Sequence, residues 1–176
     1  MDIARIEIIQ GSAGTLFGDQ AIGGVINIIT KNPGPLGVSL DTSRGTHDYE
    51  RYQGSISQNF DLGFSYRVSG EKKLTDNYRD HNQSNYTNVL ATAAFDKEDF
   101  GLFIEGGQAQ DDLNFPGALT SNAIKENRKQ SSTPDEFNDR NTDKYRIGGN
   151  YTLYDGWKLL TEYSVRDAQD KGFFFG

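Results

Sequence analysis

The chain has 176 residues, 35% of them hydrophobic and 12% aromatic, with 20 glycines, no cysteine and a formal charge of -7. The charge argues against a nucleic-acid partner, which needs a basic face to neutralise phosphates, and the missing cysteines exclude disulfides and thiolate metal sites. The longest nearly unbroken apolar run, Ile22 to Ile29, is far short of the ~20 residues of a transmembrane helix, but transmembrane strands hide their apolar residues in an alternation that averages to a hydrophilic score.

Met1 leads into Asp2-Ile3-Ala4-Arg5 with no basic region before an apolar stretch, so no secretory signal is visible; for an exported protein this implies a start upstream of Met1. Ile3 to Ile9 reads as a strand, followed by a Gly-rich turn from Gly11 to Gly18 and a second strand from Gly23 to Lys31. A Gly-rich turn after a strand raises the question of a phosphate-binding loop. This one lacks the Gly-Lys-Ser/Thr ending, and no clear helix follows it. Asn32-Pro33-Gly34-Pro35 then breaks any ladder and sets a boundary between 1–33 and 34–176.

From Leu36 onward a period of two takes over, the mark of strands with two different faces. In Leu62 to Ser69 the apolar positions Leu62, Phe64, Tyr66 and Val68 alternate with Gly63, Ser65, Arg67 and Ser69. The pattern recurs in Tyr145 to Leu153 and in Trp157 to Arg166, with Leu160 the exception, and more weakly in Leu36–Ser43, Tyr52–Phe60, Thr87–Phe95 and Phe100–Gly106. These runs predict seven strands of about 9–11 residues, the length a tilted strand needs to cross a bilayer. The alternation predicts that Phe64, Tyr66, Val68, Ile147, Tyr151, Leu159 and Tyr163 share the lipid face, and that Ser65, Arg67, Arg146, Asn150, Glu162 and Arg166 share the lumenal one.

The joins alternate between tight (Asn59–Gly63, Asp96–Gly101, Tyr154–Trp157) and longer (Gly45–Asp48, Lys72–Asn85, Gln108–Asp143). Short turns on one rim and long loops on the other describe an outer-membrane barrel. Phe60, Phe95, Phe100, Tyr154 and Trp157 at the tight turns, with Tyr49, Tyr78, Tyr86 and Tyr145 at the other ends, fit two interfacial aromatic girdles. The longest join, Gln108–Asp143, is expected to be an exposed extracellular loop, with Phe115 and Phe137 either anchoring it or contacting a ligand.

Little in the chain suggests chemistry. The two histidines, His47 and His81, each have only an aspartate neighbour, too few ligands for a metal. Gly54-Ser55-Ile56-Ser57 is strand, not a nucleophile elbow. No catalytic, cofactor or metal residue is assigned, and the triplets at Asn82, Asn85 and Asn150 are taken as chance glycosylation matches.

Ala4-Arg5-Ile6-Glu7-Ile8-Ile9-Gln10-Gly11-Ser12-Ala13-Gly14-Thr15-Leu16-Phe17-Gly18, continuing through Gly23-Gly24-Val25-Ile26-Asn27-Ile28-Ile29-Thr30-Lys31, resembles the end of the plug domain of TonB-dependent outer-membrane receptors. Arg5, Glu7, Gly11, Gly14, Leu16, Phe17, Gly18, Gly23, Gly24 and Asn27 carry the match. Gln10 and Ser12 stand where the family usually has Arg and Pro, and Phe17 where it has Tyr; the missing Arg removes a potential plug-to-barrel ion pair. Phe115-Pro116-Gly117-Ala118-Leu119-Thr120 is similar to an outer-loop stretch of many iron-complex receptors.

The resemblance implies an all-β chain, with a plug end at 1–33 and the first seven strands of an incomplete barrel, 22-stranded in the family, at 34–176. It implies a receptor in the bacterial outer membrane that takes up a scarce bulky ligand, most often a ferric siderophore, and is driven by the TonB energy-transducing complex. The rival readings are a small outer-membrane barrel serving as adhesin or structural protein, and a soluble carbohydrate-binding β-sandwich. Long spans and alternating turn lengths speak against the sandwich, and the Gly-rich opening speaks against the small barrel.

Overall fold

The computed structural model describes residues 3–11, 23–154 and 156–174. It falls into two units, Met1–Asn32 and Pro33–Gly176.

In the first unit β1 (Ile3–Gln10) pairs antiparallel with β2 (Gly24–Thr30), placing Glu7 opposite Asn27, Ile6 opposite Ile28 and Ile8 opposite Ile26. The β-branched isoleucines favour the extended backbone. Gly24 must be glycine: its φ is +149°, and a Cβ there would stand 2.7 Å from the Ile9 carbonyl oxygen.

The second unit is one antiparallel sheet in simple chain order: β3 (Gly37–Arg44), β4 (Glu50–Asn59), β5 (Phe64–Thr75), β6 (Ser84–Asp96), β7 (Phe100–Asn114), β8 (Phe137–Tyr154) and β9 (Trp157–Phe173). The seven strands expected from the alternation are therefore present, and the described residues are all-β apart from a short helix, α1 (Ser121–Asn127). β3 and β9 pair with β4 and β8 alone, so the sheet does not close.

The register explains why one sheet can stand without a second layer. One row crosses all seven strands as Val38, Ile56, Val68, Ala91, Gly106, Tyr145 and Val165; its neighbour on the other face reads Gly37, Ser57, Arg67, Thr92, Glu105, Arg146 and Ser164. The burial is the reverse of a soluble protein's: Ile147 and Tyr163 are 55% and 69% exposed, whereas Ser57 and Glu105 are 5% and 6% exposed. A β-sandwich would bury the apolar row against another sheet. Here it is the polar face that is packed and hydrogen-bonded. Every residue expected on the two faces falls on the face assigned to it, and Leu160 lies opposite Asn150 on the polar side.

From β5 onward the strands run longer than the expected 9–11 residues. β7 to β9 have 15, 18 and 17, and they continue past the end of the apolar row. The expected Gln108–Asp143 loop is correspondingly shorter, because Gln108–Asn114 is strand paired with Phe137–Asp143, and only residues 115–136 connect them. Lys171-Gly172-Phe173 is also strand, opposite Asp139, Asn138 and Phe137. No helix among the described residues is long and apolar enough to cross a membrane.

Candidate functional site

The polar face of the sheet carries a network that each strand supplies by alternation. Glu105 of β7 receives Arg146 Nη1 at 3.2 Å, Lys144 Nζ at 3.1 Å and the Thr92 hydroxyl at 3.4 Å, so a carboxylate with almost no access to solvent is met from β6 and β8. Arg146 then forks to Glu162 of β9, Nε at 3.0 Å and Nη2 at 2.8 Å, with its guanidinium 5.3 Å from the Phe103 ring centre. Bidentate pairing of this kind fixes orientation as well as charge. In the row of Glu105 Arg67 donates to Ser55 at 3.0 Å, and toward the long-loop rim Arg140 grips Asp170 at 2.6 and 3.1 Å and Arg51 binds Glu71 at 2.7 Å and Gln53. The wall is thus lined with charges already paired to one another.

The opposite face offers a recess of about 620 Å³, floored by Ala91, Ala93 and Gly106 and walled by Tyr66, Ile147 and Tyr163. Most of its lining residues belong to the apolar rows, so it suits hydrocarbon rather than a polar ligand.

Of the plug-signature residues, the structure brings three together: Glu7 accepts from Arg5 Nε at 2.8 Å and from Asn27 Nδ2 at 3.1 Å across the strand pair. Arg5 first, then Asn27, hold the Glu7 carboxyl below its ordinary value of 4.5. Gly11 and Gly23 meet through their backbones, Gly11 N to Gly23 O at 3.4 Å. Gly14, Leu16, Phe17 and Gly18 lie outside the described residues.

Phe115 packs on Phe174, with ring centres 5.5 Å apart, and its main chain closes the neck of the connection: Phe115 N donates to Glu136 O at 3.0 Å. Phe137 is not in the loop; it opens β8 on the face shared by Tyr145 and Ile147, away from Arg140 and Arg146. Glu105, Lys144 and Arg79 were not foreseen as members of bonded networks. Glu105 had a readable signal, being an acid at a polar-phase position inside an apolar alternation. Arg79 had none. Among the described residues no group of three or more His, Cys, Asp or Glu side chains could hold a metal ion.

No family model matches the chain. Its fold does match solved structures: the ferric yersiniabactin uptake receptor FyuA from Yersinia pestis (21% identity, TM-score 0.85, 97% of this chain and 29% of that one), the ferric-catecholate import receptor Fiu from E. coli K12 (17%, 0.82, 97% and 29%), and the pyoverdine outer membrane receptor FpvA from Pseudomonas aeruginosa PAO1 bound to pyoverdine (16%, 0.79, 93% and 26%). The chain spans less than a third of the length of these receptors. The likeness is one of fold: over nearly its whole length the chain shares with these receptors an all-β antiparallel sheet, which here remains unclosed.

Proposed function

We propose that the chain is part of a TonB-dependent outer-membrane receptor for energy-driven uptake of an iron complex, most simply a ferric siderophore. In this reading 1–33 is the end of the plug and 34–176 the first seven strands of the barrel. The observation that carries the reading is the inverted pair of rows, with apolar residues from Val38 to Val165 facing out and the polar row with Glu105 and Arg146 packed and bonded. A lipid-facing wall around a wet lumen requires that inversion, and a soluble sheet forbids it. The three neighbours are named as receptors for ferric complexes or pyoverdine, which supports the substrate class. The 115–136 connection, anchored by Phe115, is assigned to receiving the ligand at the outer surface.

The test is uptake of radioactive iron by iron-starved cells with and without the gene, using a panel of ferric catecholate, hydroxamate and citrate complexes and a protonophore arm. Gene-dependent uptake of one complex, abolished by the protonophore, supports the reading; gene-independent uptake of all of them sinks it. A narrower variant replaces 119–129 by a short Gly-Ser linker, keeping the 115–118 and 130–136 neck. Intact assembly with weakened binding of the transported complex is expected, and unchanged affinity would remove the loop from the site.

A further inference from the structure

The two longest connections on the rim opposite the tight turns are joined largely through one side chain. Arg79, in the β5–β6 connection (76–83), donates from Nη1 to Gly117 O at 2.6 Å, from Nη2 to Pro116 O at 2.9 Å and Gln130 O at 2.8 Å, and from Nε to Gln130 O at 3.3 Å. These carbonyls lie on both limbs of the neck of the 115–136 connection, so the guanidinium closes the neck and ties it to the neighbouring loop. Only a planar fork with several donors in fixed directions reaches all three at once; a lysine ammonium carries the same charge as a single point.

The contacts around Arg79 point the same way. Asp80 N donates to Lys129 O at 2.7 Å, and His81 Nε2 donates to Glu136 O at 2.7 Å. Lys129 Nζ lies 5.6 Å from the Tyr78 ring centre, and Tyr78 meets His47 edge-on at 5.8 Å. His47 O in turn accepts from Asp76 N at 2.9 Å, which brings the β3–β4 connection into the same body. Within the neck, Ser132 N donates to Pro116 O at 2.9 Å and Thr133 Oγ1 to Phe115 O at 2.8 Å. Gly117 sits at φ +66° where a Cβ would come within 2.7 Å of Thr133 Oγ1, so the carbonyl that meets Arg79 depends on glycine. His47, Asn77 and His81 also hold left-handed backbone, at φ 61°, 57° and 53°, conformations that persist where surrounding bonds over-determine them.

We propose that Arg79 is the positioning residue of the ligand-receiving surface. It joins the 76–83 and 115–136 connections into one preassembled body, so that α1 and the Lys129–Tyr78–His47 cluster keep a fixed geometry before any ligand arrives. The word ligand-receiving rests on the uptake reading above; the rigid body does not. Such preorganisation lowers the ordering cost at binding.

The experiment is amide hydrogen exchange and limited trypsin digestion of the full-length protein in outer-membrane vesicles, without ligand, for the wild type, Arg79→Lys, Arg79→Ala and Gly117→Ala. Expected are protected Asp80 and Ser132 amides in the wild type, with exchange about tenfold faster or more in all three variants. Trypsin should cut faster after Lys125 and Arg128, while the central amides of β7 and β8 stay unchanged. Wild-type protection in Arg79→Lys would show that charge alone suffices and overturn the proposal. Unprotected loop amides in the wild type, or Gly117→Ala as protected as the wild type, would overturn it as well. None of these readouts uses a ligand, so failure of iron uptake would sink the functional reading and leave this result standing.

Discussion

At Glu7 the balance of charge is simple enough to predict. Its carboxyl is held below 4.5 by Arg5 and then Asn27, so the folded state binds a proton less readily than the unfolded chain does. The stabilisation is present above the unfolded value near 4.5 and is lost as pH falls through the lower folded value. As pH falls below about 4.5 the protection factors of the β1–β2 amides should therefore decline in the wild type, and Glu7→Gln should flatten that dependence; an identical pH profile in the variant would contradict it. Glu105 is the harder case. Its Lys144 and Arg146 partners are themselves partly open to water, and Arg146 keeps Glu162 if Glu105 is lost. Glu105→Ala should thus cost about 1–3 kcal/mol rather than the larger loss of a wholly buried pair, read as a lower temperature of gel heat-modifiability. Glu162→Ala, at the exposed edge, should cost about 0–1 kcal/mol.

The strands show what alternation can and cannot reveal. Tyr145–Leu153 was legible because apolar side chains recur every second residue, but the same strand begins at Phe137, and from Asp139 to Lys144 it carries polar residues on both faces. Backbone pairing continues there, since the ladder bonds are indifferent to whether side chains meet hydrocarbon or water. Periodicity therefore read the apolar band and took the polar extensions for loop, which is why Gln108–Asn114 was also missed. α1 left little trace, being seven residues with none buried, started by the Thr120 side chain accepting from Ala123 N. The bonded networks were less legible still. Alternation gave the faces of Arg67, Arg146 and Glu162, but which partners close around Glu105 or Arg79 depends on register and loop path. The band edge can be tested directly. Ile147→Arg should cost about 2–4 kcal/mol, and Asp143→Arg, four residues along the same face, close to nothing, measured by assembly yield and heat-modifiability. Equal penalties at both positions would move the edge or remove the band.

The sheet as a whole ends in two open ladders, along β3 and along β9. In hydrocarbon each unpaired backbone group costs several kcal/mol, so residues 1–176 expressed alone should aggregate in detergent or remain heat-sensitive. A monodisperse, thermally stable monomer of this length, seen by light scattering, would count against a wall that needs further strands. The polar extensions of β7 to β9 have a different consequence. β8 continues eight residues beyond Tyr145, from Lys144 back to Phe137. At a rise of about 3.3 Å per residue and a tilt near 40°, that lifts the rim about 20 Å above the apolar band. In the outer-membrane setting proposed above, the 76–83 and 115–136 connections at that crest stand in the aqueous layer, well clear of the lipid that the apolar band meets.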